Sequence, residues 1–115
     1  MDINKMTIGE IKEIQGIFSV NSNNEKHPYK VGKNYFVRTV TMSILGKLEA
    51  VYKKELVFSG ACWVADSGRF GDCLKNGIEK TENSEYEMFD NDVFVNRDSL
   101  IDITEYRPSL PTASK

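Results

Sequence analysis

The chain has 115 residues, a mass of 13.1 kDa and a formal net charge of -2 at pH 7. This length is typical of a single domain, and the nearly balanced charge excludes non-specific nucleic-acid binding through a broad positive field. No apolar run approaches the roughly 18 residues that a membrane span requires, so we expect no membrane partner. The first residues lack a basic region followed by an apolar one, so we expect no secretory signal.

Cysteine and histidine are too scarce for most catalytic or metal chemistry. The chain has two cysteines, Cys62 and Cys73, and one histidine, His27. Two cysteines among apolar neighbours are typical of buried, reduced thiols in a cytoplasmic protein. One histidine cannot form a multi-histidine metal site, and no base accompanies a nucleophile. We therefore predict no metal or other cofactor and no enzymatic activity.

The N-terminal part of the chain predicts a helical appendage over residues 1–18. Thr7 and Glu10 have the spacing of a capping box, and three isoleucines then recur about once per turn. Those isoleucines are Ile8, Ile11 and Ile14. The following pair Ile17-Phe18 is expected to pin the end of the helix to the body. A polar, turn-rich linker is predicted over residues 19–32.

Residues 33–107 predict a β-rich domain. Tyr35–Leu45 is rich in β-branched and aromatic residues and predicts one long strand, followed by a turn at Gly46-Lys47. The remaining predicted elements are strands at Leu48–Tyr52 and Glu55–Phe58, a bend at Ser59-Gly60, a strand at Ala61–Ala65, a helix at 67–76, an acidic solvated loop at Glu79–Asp92, a strand at Val93–Val95, a turn at Asn96–Asp98, a strand at Ser99–Ile103 and an extended tail at 108–115.

This order of elements predicts a mainly β (α+β) protein, either a small antiparallel bent sheet or an Sm-like barrel, with an N-terminal helix and one short inserted helix. The runs 46–61 and 93–101 resemble the two-part pattern of Sm-like barrels. Small bent sheets leave unpaired strand edges, which pairing between subunits removes. We therefore expect a homo-oligomer, either a ring or a multimer of dimers.

The first candidate binding segment joins the end of a predicted strand to the start of the predicted helix. It contains the candidate ligand-binding residues Trp63, Asp66, Arg69 and Phe70. Backbone N–H groups at a helix start beside an arginine suit a phosphate, and an aromatic side chain suits stacking on a base. The structural alternative is that Asp66 or Ser67 caps the helix, Arg69 is solvated, and the aromatic residues belong to the core.

The second candidate is the turn Asn96-Arg97-Asp98, in which Arg97 projects between two turn-forming residues. Its structural alternative is that Asn96 and Asp98 only form the turn and Arg97 is exposed. Arg69 and Arg97 thus lie in two basic turns of an acidic protein. If the strand order brings these turns together, they favour binding of an anionic ligand. Arg38, on the apolar face of the predicted long strand, is expected to have a structural role.

The segment Trp63-Val64-Ala65-Asp66-Ser67-Gly68-Arg69-Phe70, together with Asn96-Arg97-Asp98, resembles a family of small phage and prophage proteins, the Thoeris anti-defence sponges. This resemblance implies an oligomer in the host cell cytoplasm that sequesters a cyclic ADP-ribose-type immune signal without cleaving it. It implies that Phe70 and Arg97 grip the ligand. Asn96 and Asp98 flank the arginine where related proteins are expected to carry glycine. The N-terminal helix lies outside the resemblance.

Two other functions remain open from the sequence. The protein could be a virion-associated or assembly protein whose terminal segments wrap neighbouring subunits. It could also be an Sm-like ring that binds RNA at the Arg97 turn, although a pI near 5.4 argues against a nucleic-acid partner.

Overall fold

The structure is a computed structural model, and it describes residues 27–115. The predicted helix over 1–18 and the first part of the predicted linker, up to residue 26, lie outside the described residues. Within residues 27–115 no helix is long and apolar enough to cross a membrane.

The described chain forms one bent, unclosed antiparallel sheet of six strands, as predicted for the fold class. The strands are β1 (Asn34–Thr39), β2 (Ser43–Val51), β3 (Glu55–Asp66), β4 (Glu85–Met88), β5 (Val93–Asn96) and β6 (Leu100–Glu105). One helix, α1 (Phe70–Asn76), and two 3-10 turns, Ile78–Lys80 and Arg97–Ser99, connect them. The strand order is β4-β3-β2-β1-β6, and β5 pairs with the first half of β3. Of the two predicted architectures, the bent sheet is the one observed.

The predicted long strand Tyr35–Leu45 is wrong, because the chain makes a hairpin turn inside it. Thr39 organises this turn: its Oγ1 donates to the carbonyl of Met42 and accepts from the backbone N–H groups of Thr41 and Met42, at 3.0–3.3 Å. A threonine hydroxyl replaces the glycine or proline that usually signals a turn. The composition of Tyr35–Leu45 therefore gave no sign of the hairpin turn.

The predicted turn at Gly46-Lys47 is also wrong, since both residues belong to β2. Gly46 is required here by a close approach between strands. A Cβ atom at Gly46 would lie 2.9 Å from the Cβ of Ala61 and 3.2 Å from the Cβ of Phe58. The glycine thus lets β2 and β3 pack tightly where the sheet bends.

The predicted bend at Ser59-Gly60 is confirmed, and it lies directly across from Gly46. Leu45 pairs with Cys62 and Lys47 pairs with Ser59, so β3 carries one extra residue at this point. Gly60 has a φ of +54°, which favours glycine. The bulge lets a single strand of 12 residues pair with β5 in its first half and with β4 in its second.

The acidic stretch Glu79–Asp92 is predicted to be a solvated loop, but it includes the end of the 3-10 turn Ile78–Lys80 and the whole of β4. Tyr86 of β4 pairs with Val64 and is buried. The carboxylates of β4, Glu85 and Glu87, alternate with it and are exposed. The many carboxylates of this stretch predict a loop, but Glu85 and Glu87 lie on one face of a strand whose opposite face carries the buried Tyr86.

The predicted helix over 67–76 begins later, at Phe70, and ends as predicted at Gly77. The backbone N–H of Gly77 donates to the carbonyl of Cys73 at 3.0 Å, and Gly77 has a φ of +102°. Residues 108–115 have no regular structure but run along the body. The backbone groups of Lys115 and Tyr86 exchange two hydrogen bonds of 2.9 and 3.1 Å, which covers the outer edge of β4.

Two apolar clusters lie on opposite faces of the sheet. The first cluster contains Tyr35, Val37, Ile44, Leu48, Leu56, Phe58, Ala61 and Val95. The second cluster, under α1 and the C-terminal residues, contains Phe36, Leu45, Cys62, Val64, Cys73, Ile78, Tyr86 and Tyr106. Because both faces of β1–β3 are covered in this way, consecutive residues such as Phe36 and Val37 are both buried.

Replacing Gly46 by alanine is expected to lower the free energy of unfolding by about 1–3 kcal/mol, because the added methyl group meets Ala61 on the neighbouring strand. Gly71→Ala is the matched control: it lies in α1, no atom is within 4 Å of its Cβ position, and alanine favours helix. Urea unfolding measures both. Equal stability of the two variants would contradict the close approach at Gly46.

The buried thiols are expected to make the fold sensitive to alkali. Burial raises the pKa of Cys62 to about 12, with a further contribution from Cys73, and burial raises the pKa of Cys73 to about 11. The unfolded thiols, with a pKa of 9.0, lose protons first, so this stability is present below pH 9.0 and is lost as the pH rises through the folded values.

The loss should be on the order of 1–2 kcal/mol per thiol near pH 10.5 relative to neutral pH. Urea unfolding of the wild-type chain and of the Cys62→Ala, Cys73→Ala double variant at several pH values measures it. The variant should show a shallower decline of stability with pH. Parallel declines would mean that the thiols do not contribute.

Candidate functional site

The predicted site residues fall into separate regions of the described chain. Asn96 pairs with Glu55 at the first residue of β3, whereas Asp66 is the last residue of the same strand. The two basic turns therefore lie at opposite ends of β3. Within one chain the structure does not bring Arg97 together with Arg69 and Phe70.

The Arg97 turn holds the β2–β3 hairpin. The Arg97 Nη1 donates to the carbonyl of Tyr52 at 2.8 Å and to that of Lys53 at 3.3 Å, and its backbone N–H donates to Lys54 at 2.8 Å. The guanidinium carbon lies 5.5 Å from the centroid of the Tyr29 ring, a cation–π contact. Arg97 thus joins three separate segments of the fold.

Asn96 completes this turn as the sequence indicated. Its Oδ1 accepts a hydrogen bond of 2.8 Å from the backbone N–H of Asp98, and its carbonyl accepts one of 2.7 Å from the Ser99 hydroxyl. The side chain therefore caps the 3-10 turn that starts at Arg97. This geometry supports the structural interpretation of the turn.

At the other end of β3, the turn before α1 is stabilised by Asp66. Its Oδ1 accepts from the backbone N–H of Gly68 at 2.8 Å, and Gly68 has a φ of +69°. A side chain at Gly68 would collide with the carbonyl of Glu82, 2.6 Å from its Cβ position. Asp66 therefore forms the turn and does not cap the helix, whose N-cap is Arg69.

Arg69 and Asp66 do share one open groove, of about 540 Å³. The other residues lining it are Gly68, Asp72, Thr81, Glu82 and Asn83. Three carboxylates around one guanidinium give the groove a negative balance, which disfavours a phosphate. The geometry at this end therefore gives little support to an anion site at the helix start.

Phe70 packs against the buried side chain of Phe36. Its ring meets that of Phe36 edge-to-face, with 5.1 Å between the centroids, while 40% of the residue stays exposed. It anchors α1 on the sheet, but it is only partly buried, so it is not a core residue in the full sense of the structural alternative.

Trp63 is an exposed aromatic residue among the predicted site residues, and two grooves adjoin it. It lies in the second half of β3, directly opposite Ile44 on one side and Glu87 on the other, and is 40% exposed. It lines two adjoining grooves, of about 620 and 400 Å³. A large aromatic surface is thus available at the junction of two concave surfaces.

The larger groove contains residues that the sequence did not single out for binding. Its lining is Arg38, Thr39, Thr41, Met42, Ser43, Trp63, Val64, Ala65 and Ile101. Arg38 forms an ion pair with Asp102 across the β1–β6 pairing, with its Nε donating to Asp102 Oδ1 at 2.8 Å. This contact raises the pKa of Arg38 and lowers that of Asp102, chiefly through the hydrogen bonds between them. Only the pairing of β1 with β6 reveals this partner.

The smaller groove differs from the larger one in charge, because its lining includes two carboxylates and the larger groove has none. It is lined by Trp63, Ala65, Glu85, Tyr86, Glu87, Ser114 and Lys115. The Lys115 ammonium group donates to the carbonyls of Glu79 and Thr81, at 3.2 and 3.0 Å. An anionic ligand on Trp63 would therefore extend into the larger groove and away from Glu85 and Glu87.

Comparison with protein families, curated proteins and solved structures finds no match. The resemblance to the anti-defence sponges therefore stays a prediction. Among residues 27–115 no group of three or more His, Cys, Asp and Glu residues is placed to hold a metal ion.

Arg97→Ala is expected to lower the free energy of unfolding by about 1–3 kcal/mol, because the Tyr52 and Lys53 carbonyls lose a charged donor. Arg107→Ala, at an exposed position, is the matched control and should change it by less than about 0.5 kcal/mol. Chemical denaturation measures both. If the two variants are equally stable, the turn does not depend on the Arg97 side chain.

Proposed function

We propose that this protein is a phage-encoded, non-enzymatic oligomer that sequesters a nucleotide-derived immune signal, such as a cyclic ADP-ribose, in the host cell cytoplasm. The observation that best supports a binding function is the half-exposed Trp63 ring at the junction of two grooves. This proposal moves the centre of the site from Phe70 and Arg97 to Trp63.

Base stacking is the interaction that Trp63 is best placed to provide. An indole beside an open groove offers a flat apolar surface, and stacking of a base on an aromatic side chain contributes about 1–3 kcal/mol. Ile44 lies directly opposite Trp63 on β2 and is buried, so the strand that carries the ring is held by the core. A purine can therefore stack without a large rearrangement of the sheet.

The larger groove also has groups that suit a ribose and a phosphate. The side chains of Thr41 and Ser43 provide hydroxyl groups, and Arg38 provides a guanidinium group. Asp102 balances the charge of Arg38 in the free protein. An anionic ligand would share Arg38 with that carboxylate, which gives moderate affinity and sensitivity to salt.

A second copy of the chain is expected to complete the site. The larger groove is open to solvent, and two apolar residues at its border are exposed, Met42 to 41% and Ile101 to 64%. Exposed apolar residues around a binding groove are typical of an interaction surface. A neighbouring subunit over them would enclose a ligand that one chain leaves accessible.

The alternative function, a virion-associated or assembly protein without a ligand, is favoured by other exposed apolar residues. Val40 and Phe94 are each 72% exposed, and both lie outside the Trp63 grooves. An Sm-like RNA-binding ring has less support, because the guanidinium of Arg97 already donates to two carbonyls within the fold.

The test is a thermal-shift screen of the pure protein with cyclic nucleotides, ADP-ribose derivatives and short RNA, followed by recovery of the ligand after heat denaturation. We expect a shift with an ADP-ribose-type ligand that is released intact. Trp63→Ala should weaken binding by about tenfold or more through loss of stacking. Tyr52→Ala, at an aromatic residue that is 58% exposed on the β2–β3 hairpin, should bind as the wild type does.

Each other outcome points to a different function. Recovery of a cleaved ligand would make the protein an enzyme, and a shift with RNA alone would support the ring. No shift with any compound would overturn the proposal and favour the assembly protein. Asp102→Asn provides a check on the anion site: by releasing Arg38 from its partner, it should strengthen binding by roughly threefold to tenfold at low salt.

A further inference from the structure

Ser114 and Lys115 lie against the outer edge of β4 and form part of the wall of the smaller groove at Trp63. The backbone groups of Lys115 and Tyr86 exchange hydrogen bonds of 2.9 and 3.1 Å. The Ser114 hydroxyl accepts a hydrogen bond of 2.9 Å from the backbone N–H of Met88. We call the pair Ser114-Lys115 the latch. On this side of Trp63 the groove is therefore bordered by residues that hydrogen bonds hold in place.

The side chain of Lys115 ends in a group of three oxygen acceptors. Its ammonium nitrogen donates to the carbonyls of Glu79 and Thr81, at 3.2 and 3.0 Å, and to the hydroxyl of Ser84, at 3.0 Å. We call these three oxygen atoms the cradle. An ammonium group has three N–H donors, so the cradle can satisfy all of them. Since hydrogen bonds from an ionised donor are stronger than those from a neutral one, the ammonium is the main polar anchor of the latch.

The cradle is held together by contacts that do not involve the latch. Thr81 and Ser84 are only 3% and 4% exposed. The Thr81 hydroxyl donates to the carbonyl of Gly77 at 2.8 Å, and the Ser84 hydroxyl donates to the carbonyl of Ile78 at 2.7 Å. The acceptors thus belong to a buried, hydrogen-bonded turn, which can keep its shape whether or not the ammonium is present.

The latch itself has no buried side chain. Leu110 packs against the second apolar cluster and Pro111 is buried, whereas residues 112–115 are all exposed. A segment that only polar surface contacts hold opens at a lower free-energy cost than one packed in the core. The chain can therefore open at Thr112-Ala113 while Leu110 and Pro111 stay in place.

Opening of the latch would change the surroundings of Trp63 on one side only. Trp63 pairs with Glu87 of β4 and lines the smaller groove together with both latch residues. The lining of the larger groove includes Trp63 but neither latch residue. Release of the latch therefore removes a wall from the smaller groove and leaves the larger groove as it is.

We propose that the latch controls access to Trp63 from the smaller groove, and that insertion of the Lys115 ammonium into the cradle closes it. With the latch closed, a ligand on Trp63 is confined to the larger groove. With the latch open, a ligand can extend along Trp63 on both sides. The consequence for the ligand rests on the function proposed above, but the latch itself can be tested without a ligand.

The test compares the wild-type full chain with Lys115→Met, which removes the ammonium and keeps a long apolar side chain. The backbone N–H groups of Tyr86 and Met88 donate to the latch, so NMR should show that they exchange with solvent about tenfold faster in the variant. The N–H of Glu87 alternates with them and is directed towards β3, so its exchange should not change.

Fluorescence gives a second measurement on the same samples, because Trp63 is the only tryptophan in the sequence. Quenching of the Trp63 emission by acrylamide should be stronger in Lys115→Met than in the wild type. Lys75→Met is the matched control: it removes the same charge from an exposed position in the last turn of α1. It should change neither the amide exchange nor the quenching.

Three results would overturn the proposal. Unchanged exchange at Tyr86 and Met88 in Lys115→Met would show that the ammonium does not hold the latch. Faster exchange with unchanged acrylamide quenching would show that the latch does not control access to Trp63. Equal acceleration at Glu87 would mean that β4 as a whole leaves the sheet. Failure of an ADP-ribose-type ligand to bind would instead contradict the proposed function, and it would not alter these ligand-free results.

Discussion

The fold depends on the close approach of β2 and β3 at Gly46 and Ala61. Any side chain at Gly46 would meet the neighbouring strand, and the extra residue at Gly60 directly across from it bends β3. Without this bend, a strand of 12 residues would continue nearly straight. With the bend, the two halves of β3 belong to differently directed parts of one sheet, and each half recruits its own partner strand.

The same bend determines where functional residues can lie. It separates the Arg97 turn, at the start of β3, from the Asp66–Phe70 segment at its end. It also leaves the sheet open beside β5, with apolar side chains at the border, and places Trp63 in the second half of the strand. The proposed ligand site at Trp63 follows from this geometry.

The sequence predicted the parts of the fold that local chemistry determines. The bend at Gly60, the helix stop at Gly77 and the Asn96 turn each carry residues whose backbone preferences are specific, and all three are observed. The Thr39 hairpin was missed because a hydroxyl group forms it without glycine or proline. Gly46 was interpreted as a turn because a sequence cannot distinguish a glycine that bends the chain from one that allows close packing.

The site was less predictable because it depends on strand pairing. The sequence singles out Trp63 for its position before a turn, but the groove beside it is lined by Arg38, whose ion-pair partner Asp102 is 64 positions away in the sequence. Their contact requires β6 to pair with β1 in one register. Arg97 had the right chemistry for binding, and only its hydrogen bonds to the β2–β3 hairpin revealed its structural role.

Fluorescence of Trp63 reports on the proposed ligand site without interference, since it is the only tryptophan in the sequence. An ADP-ribose-type ligand is titrated into the wild-type chain, and binding is measured in parallel by calorimetry. If the base stacks on the indole as proposed, the Trp63 emission is quenched with the same dissociation constant that calorimetry gives. Calorimetric binding without any change in the Trp63 emission would place the ligand elsewhere on the protein and rule out the Trp63 site.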